Sequence, residues 1–334
     1  MKALIITTHR SFPGGVEQVN RTLETILKEW NFEVEYLTAD GPSTWFEKIS
    51  SKLFSPAGVT FLRWNHLSQD RKASFDLVIA NGEHALGVHH PKLLNYFHGS
   101  YLGLRGERSL FNKSYWTLSY LSLLQFFAAR SKKVISVSLF LNSILGKQGI
   151  KVDQVLSPPV DLERFKPLNE KKLGDYLFVG SGAFYNKGFD LLEALSFKGK
   201  QITCISKTSY RTHLKFLTDI PTNEMPAYYN RFNFFLFPSR FESLGLAPLE
   251  AMACGLPILM FNVGVGVELQ KLIPEFVLDL KSQNTEEHFL ERISLIEKNY
   301  EAYSLKARRF VEEYYSLDSF KVHLKKILKE LQNA

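Results

Sequence analysis

Phe237 to Leu259 reads FPSRFESLGLAPLEAMACGLPIL. The apolar run Phe234–Phe237 has the length of a buried strand. A polar loop holding Arg240 and Glu242 follows, and the pattern predicts a helix starting near Pro248, whose missing N–H costs nothing in a first turn. Gly255 stops that helix, with Pro257 two residues on. Glu242 then sits at the carboxyl end of a parallel strand and Glu250 in the first helical turn behind it, the end where such sheets bind ligands. Backbone amides from Leu244 to Ala247 at the helix start can bind an anion. Ionised carboxylates only accept hydrogen bonds, so each can grip two neighbouring hydroxyls. A ligand that is part phosphate and part polyhydroxyl, such as a nucleotide sugar, suits this layout. Taken alone, the seven residues between the two glutamates favour the plainer alternative of two surface glutamates flanking an ordinary helix, with Glu250 complementing its dipole.

The same alternation extends in both directions. Ala3–Ile6 is a short apolar run ending in a loop with Pro13, Gly14 and Gly15. Val16, Val19, Leu23, Ile26, Leu27 and Trp30 follow at helical spacing, and Val34–Leu37 makes the next strand. Further strands are predicted at Leu77–Ala80, Leu93–Phe97 and Val134–Val137, separated by helix-length segments. SPPVDLERFKP, Ser157 to Pro167, interrupts this pattern and makes a natural link between domains. Alternation resumes with Tyr176–Val179, a glycine-containing loop, a helix from Phe189 to Leu195, and strands at Ile202–Ile205, Phe234–Phe237 and Pro257–Met260. The tail from Thr285 to Leu331 reads as amphipathic helix punctuated at Ser316 to Asp318. The fold class is α/β, with two doubly wound domains.

Composition sets the outer bounds. At 334 residues and 45% hydrophobic, the chain can bury two cores. Cys204 and Cys254 are its only cysteines, too few for a disulfide framework or a zinc site, so a reducing cytoplasm is expected. The apolar run after Met1 and Lys2 is far shorter than a signal-peptide core, and export is not expected. The uncharged stretch Ser114 to Ala129 has 16 residues, short of the ~20 a spanning helix needs.

Net charge is +7, and Thr44 to Lys133 alone holds 12 Lys or Arg against 5 Asp or Glu. That basic stretch is interleaved with Trp45, Phe46, Leu53, Phe54, Phe61 and Trp64, and then with Leu110, Phe111, Tyr115, Trp116, Phe126 and Phe127. The mixture reads as a segment lying peripherally on anionic lipid, at the inner face of a membrane. A core helix accounts for Tyr115 to Ala129 at least as well. No nucleic-acid motif accompanies the charge, so no nucleic-acid partner is expected.

The stretch around Glu242 and Glu250 resembles the donor-binding E-x7-E motif of retaining glycosyltransferases of the GT-B fold, family 4 (glycosyl transferases group 1). Other matching segments occur in order: FPGGVEQVNRTLETIL (Phe12 to Leu27), FHGS (Phe97 to Ser100), VISVS (Val134 to Ser138), PVDLERFKP (Pro159 to Pro167), LFVGSGAFYNKGFDLLEAL (Leu177 to Leu195) and EMPAYYN (Glu224 to Asn230). The resemblance implies two Rossmann-like domains with the reaction in the cleft between them. Residues 1–160 would bind the acceptor, 161–315 the nucleotide-sugar donor, and 316–334 would form a helix returning to the first domain. It implies sugar transfer from a nucleoside-diphosphate sugar to a carbohydrate or lipid-linked acceptor hydroxyl, with retention at the anomeric carbon.

By the same resemblance, Glu250 would hold the ribose hydroxyls, and Glu242 with amides near Leu244, Gly245 and Leu246 would face the transferred sugar. Lys187 would neutralise the diphosphate as it leaves. Gly14 and Gly15 would let the backbone approach the diphosphate or acceptor, and His98 would hydrogen-bond the donor sugar. Two positions depart from the family pattern. Gly180-Ser181 stands where Gly-Arg commonly precedes the Lys-Gly, so one expected diphosphate cation is absent, and Lys207 or Arg240 is available to replace it. Pro158-Pro159 replaces an Asn-Gly and stiffens the link.

No Asp-x-Asp occurs, so no metal is expected, and no cofactor beyond the nucleotide-sugar co-substrate. His84, His89 and His90 cluster in sequence, but His89-His90-Pro91 reads as a turn entering a strand rather than a ligand set. Two competing readings stay open at this point: a noncatalytic partner subunit of the same fold, and a GT-B epimerase or phosphorylase.

Overall fold

The structure, a computed structural model, describes residues 1–11, 14–42, 44–106, 111–130 and 132–332. Phe12 and Pro13 of the glycine loop and Leu110 of the aromatic series lie outside the described residues. The chain divides into two compact units, Met1–Pro158 with Lys321–Ala334, and Pro159–Phe320.

In the first unit the order is β1 (Lys2–Thr7), α1 (Gly15–Glu29), β2 (Glu33–Thr38), α2 (Trp45–His66), α3 (Gln69–Ala73), β3 (Leu77–Asn81), β4 (Leu93–Phe97), α4 (Tyr101–Arg105), α5 (Lys113–Ala129), β5 (Lys133–Ser136), α6 (Leu139–Lys147) and β6 (Gln154–Val155). The second unit contains β7 (Tyr176–Val179), α7 (Phe189–Phe197), β8 (Ile202–Ile205), β9 (Lys215–Leu217), α8 (Met225–Asn230), β10 (Phe234–Phe237), α9 (Leu246–Ala253), β11 (Ile258–Phe261), α10 (Gly266–Leu272), β12 (Val277–Leu278), α11 (Thr285–Lys298) and α12 (Tyr300–Tyr314). The last helix is α13 (Leu317–Gln332).

The described strands form two six-stranded parallel sheets, ordered β2-β1-β3-β4-β5-β6 and β12-β11-β10-β7-β8-β9. The doubly wound α/β expectation is met in both. Every residue of β3, β4, β10 and β11 is buried, because helices cover both faces of each sheet. Each sheet reverses its strand order once: between β1 and β3 in the first unit, and between β7 and β10 in the second. At such a switch point adjacent loops diverge to opposite faces and leave a crevice at the carboxyl ends.

Three sequence expectations are corrected. Helix α9 starts at Leu246 rather than near Pro248, so Glu250 lies in the second turn and not the first. Gly245 makes the entry with a left-handed backbone (φ 90°), and Pro248 falls third in the helix, where its N–H would lack an intrahelical acceptor anyway. The tail breaks at Asn299 as well as near Ser316, giving three helices. Strand β11 begins one residue after Pro257, which has no N–H to donate, although its carbonyl still accepts from Phe235 at 3.0 Å.

Two glycines fix the loop after β10 where it passes other backbone. Gly188 opens α7 with φ 74°, and a Cβ there would lie 2.1 Å from the Pro238 carbonyl oxygen. Gly264 has φ 55°, and a Cβ there would lie 2.3 Å from the Leu244 carbonyl oxygen. Gly188→Ala is expected to destabilise the chain by about 3 kcal/mol, because backbone must move and a left-handed residue is strained. Gly199→Ala is the control: φ is 89° with nothing within 4 Å, so it should cost about 1–2 kcal/mol from left-handed strain alone. Urea midpoints of the two variants check the difference.

Candidate functional site

In the second unit both loops at the β7/β10 switch point carry expected site residues. The loop after β7 runs from Gly180 to Gly188, and the loop after β10 from Pro238 to Gly245. Lys187 of the first is bonded through Nζ to Oε1 of Glu242 in the second. The lysine also lies over the Phe237 ring, 5.9 Å from its centroid. Cation and carboxylate, 55 positions apart in sequence, thus meet in one ion pair.

Arg240 holds the two loops together. Its guanidinium forms a bidentate pair with Asp190, at 2.7 and 2.8 Å, and stacks 3.9 Å from the centre of the Tyr185 ring. Its backbone N–H donates to Asn186 O at 2.8 Å. The guanidinium is therefore occupied by Asp190 and Tyr185. Ser181, exposed at the tip of β7, accepts from the Lys207 N–H at 2.8 Å and touches Ser206 Oγ at 3.2 Å, which ties the loops after β7 and β8. Lys207 itself is exposed.

Helix α9 points its start at this crevice. No side chain caps Gly245, and Val265 N–H holds the Leu244 carbonyl at 2.7 Å. The first-turn amides keep their partial positive charge for an anion. The far end is closed: Leu256 N–H returns to Ala251 O at 3.0 Å, and Arg308 Nη1 bonds Ala253 O at 2.7 Å.

Glu250, in the second turn of α9, accepts from Tyr229 Oη–H at 2.9 Å. Burial raises its carboxyl to about 7, against the lowering effects of the Tyr229 hydrogen bond and the Arg164 charge. Burial thus works against the ionised form that gripping hydroxyls requires.

The first unit has its own crevice at the β1/β3 switch point, a cavity of about 220 Å³ lined by Thr7, Thr8, Asn81, Glu83, His84, His98, Tyr101 and Gln125 among others. Asn81 donates Nδ2–H to Thr7 Oγ1 at 3.1 Å and to Asn20 Oδ1 at 3.0 Å. Its Oδ1 remains to accept from His98 Nε2, 3.2 Å away. The proton is thereby placed on Nε2, leaving the Nδ1 lone pair as an acceptor. Burial pushes the His98 imidazolium down to about 3, so the ring is neutral at physiological pH.

Glu83 accepts from Tyr101 Oη–H at 2.6 Å and from Gln125 Nε2–H at 3.3 Å. His84 is buried between Thr8 Oγ1 (2.7 Å) and Thr60 Oγ1 (3.0 Å), and His90 bonds Phe75 O at 3.1 Å. Among the described residues no group of three or more His, Cys, Asp or Glu is placed to hold a metal ion. Gly14 caps α1 with an extended backbone (φ −142°), and neither Gly14 nor Gly15 has a positive φ.

Sequence reasoning missed Asn81, Glu83, Tyr229 and Asp190. The polar triple Asn81-Gly82-Glu83 directly after the apolar Leu77–Ala80 carried a signal for the first two. Tyr229 lay inside EMPAYYN with nothing to show that it faced Glu250.

Residues 162–313 match the family Glycosyl transferases group 1, and residues 13–164 match Glycosyltransferase Family 4. This chain has the GT-B fold and resembles the group 1 glycosyltransferases. Over 98 residues it is 37% identical to an uncharacterized glycosyltransferase of Haemophilus influenzae, a match spanning 28% of this chain and 27% of that relative.

Solved GT-B structures superpose along its length. A sucrose-phosphate synthase from Thermosynechococcus elongatus gives a TM-score of 0.74 at 16% identity, covering 100% of both chains. Anabaena HepE in complex with UDP-glucose gives 0.68 at 16%, again over 100% of both. WaaG, a glycosyltransferase involved in lipopolysaccharide biosynthesis, gives 0.66 at 15%, over 95% of this GT-B chain and 97% of its own.

The raised carboxyl of Glu250 predicts a pH dependence. If its ionised form grips hydroxyls, affinity for a nucleotide sugar rises as pH increases from about 6 to about 8, through the value near 7. Glu250→Gln flattens this profile. Tyr229→Phe removes a bond that lowers the carboxyl and moves the midpoint upward. Stability runs the other way: the folded state holds this proton more tightly than the unfolded, so the free protein loses stability as pH rises from about 4.5 to about 7. Calorimetric titration with a nucleotide sugar, whose diphosphate diester does not itself titrate in this range, reads the affinity.

Proposed function

We propose that the chain is a retaining, metal-independent glycosyltransferase that moves a sugar from a nucleoside-diphosphate sugar to a hydroxyl of a carbohydrate or lipid-linked acceptor, in glycan or glycolipid biosynthesis. The observation that carries this reading is the meeting of Lys187, Glu242 and the uncapped start of α9 at the β7/β10 switch point. The crevice offers a cation and oriented amides for a diphosphate, beside carboxylates for hydroxyls. The HepE complex with UDP-glucose supports a donor of this class.

In this reading the bond from the anomeric carbon to the diphosphate breaks while the acceptor oxygen bonds that carbon on the same face. The acceptor proton passes to the departing diphosphate. Lys187 shifts from Glu242 towards the diphosphate as negative charge builds there, and the α9 amides add a fixed positive field. Glu242, released, accepts from hydroxyls of the transferred sugar, and Glu250 accepts from the ribose. His98, neutral and with Nδ1 able to accept, meets a sugar hydroxyl. Charge neutralisation by Lys187 and α9 takes the place a divalent ion has in other glycosyltransferases.

The direct test incubates the protein with a panel of nucleotide sugars and hydroxyl acceptors. Release of nucleoside diphosphate only when acceptor is present, unchanged by EDTA, with the donor's anomeric configuration kept in the product by NMR, is the expected result. Interconversion of donors without an acceptor would make the chain an epimerase. Lys187→Ala is expected to lower turnover on the order of a hundredfold, the scale of losing one preorganised donor. Glu250→Ala should weaken nucleotide affinity, whereas Glu242→Ala should depress kcat more than nucleoside-diphosphate affinity. Wild-type kinetics in both glutamate variants would sink the assignment.

A further inference from the structure

Two helices of the first unit expose large apolar side chains while burying some polar ones. On α5 the side chains at 116, 120, 123 and 127 share one face, by the spacing i, i+4, i+7, i+11. That face holds Trp116, Leu123 and Phe127, which are 64%, 50% and 46% exposed. The opposite face buries Ser122 and Gln125 along with Leu124 and Ala128. The amino-terminal half of α2 repeats the pattern: Trp45, Phe46 and Leu53 are 68%, 70% and 56% exposed, while Glu47 and Ser50 are buried. Single exposed apolar side chains are ordinary, but large apolar side chains gathered on the outward faces of two helices are not.

The two faces are joined. Helix α2 breaks at Phe54 and Ser55, where Ser55 takes φ 58°, and the break leaves the Leu53 carbonyl without its usual partner one turn on. The Ala57 N–H turns to Ser55 Oγ instead, at 3.5 Å. Tyr120 Oη–H of α5 donates to the Leu53 carbonyl at 2.6 Å. A side chain of one aromatic face therefore completes the backbone of the other.

The charge on this surface has one sign. Lys48, Lys52 and Lys113 are exposed along it. The stretch from Trp45 to Phe54 has a single acid, Glu47, and α5 has none. Glu47 is buried and paired with Arg63 at 2.9 Å, so its charge does not reach the surface. No helix among the described residues is long and apolar enough to cross a membrane, so this surface would lie on a bilayer rather than in it. We propose that the outward faces of α2 and α5 dock this chain on an anionic lipid surface, with Trp45, Phe46, Leu53, Leu123 and Phe127 in the headgroup region and the lysines on lipid phosphates. A second copy on the same face would set lysines against lysines, and among the described residues from Trp45 to Phe54 and along α5 no exposed acid offsets them.

The test is co-sedimentation of the full chain with vesicles of phosphatidylcholine alone and of phosphatidylcholine mixed two to one with phosphatidylglycerol. Binding should require the anionic lipid and weaken with salt, since the attraction is screened over ~8 Å at physiological ionic strength. Lys48→Glu with Lys52→Glu should lower partitioning at least tenfold, each lysine being worth about fivefold. Trp45→Ser with Leu123→Ser should lower it similarly. The thermal melting midpoint of the free protein should be unchanged in these variants, which shows that they fold. No sedimentation with anionic vesicles at low salt, undiminished binding in both pairs of variants, or a dimer that the same substitutions abolish would each overturn the proposal. The proposal does not depend on the transfer reaction: vesicle binding by a chain that takes no nucleotide sugar would sink the catalytic reading alone.

Discussion

The second unit depends on two places where backbone passes backbone with no room for a side-chain carbon. Gly188 lies against the Pro238 carbonyl and Gly264 against the Leu244 carbonyl, so the loop after β10 is gripped near both ends. Between those grips lie Arg240, Glu242 and the turn that starts α9. The Arg240–Asp190 pair then locks the same loop to α7, and the grip at Gly188 brings the neighbouring Lys187 within reach of Glu242. An ion pair this little exposed, with side chains 20% and 16% accessible, survives because the backbone on both sides is already fixed and few rotamers remain to be lost on pairing.

Much of this architecture was legible in the sequence, and the reason differs by element. Buried parallel strands are short continuous apolar runs bounded by turn residues, so Tyr176–Val179, Ile202–Ile205, Leu93–Phe97 and Phe234–Phe237 were read to the residue. Two-residue strands such as β6 and β12 have no pattern of their own and exist only because a neighbouring edge accepts them. The start of α9 was misplaced, because Pro248 reads as a first-turn residue, whereas the helix begins at Leu246 and is entered through the left-handed backbone of Gly245, which local composition does not reveal. Residues acting through long-range contacts, among them Asp190 on Arg240 and Tyr229 on Glu250, have no local signature. The departure at Ser181 was legible as the loss of a cation, but not as a gained tie to Lys207 and Ser206.

The charge asymmetry shows how a pattern can be right in composition and unresolved in geometry. The excess of lysine and arginine between Thr44 and Lys133 reads identically whether its aromatics point in or out. The structure divides them: Trp64 is buried in the core with Phe75 and Val78, whereas Trp45 and Phe46 face outward. Arg63 is drawn inward to Glu47 and to the Thr38 carbonyl at 2.8 Å, and Arg105 packs over the Tyr115 ring. Part of the basic excess thus braces the unit internally, and the exposed lysines supply the surface field.

The hydrogen-bonded cluster of Thr7, Asn20 and Asn81 behind His98 has a thermodynamic consequence. Asn81 has both amide ends engaged before any ligand arrives, so the imidazole's tautomer and orientation are fixed when the unit folds. A side chain left to order itself on association would cost roughly 0.5–1.5 kcal/mol of rotational freedom. Here that ordering belongs to the free energy of folding, because the ring is positioned by bonds the folded unit already makes.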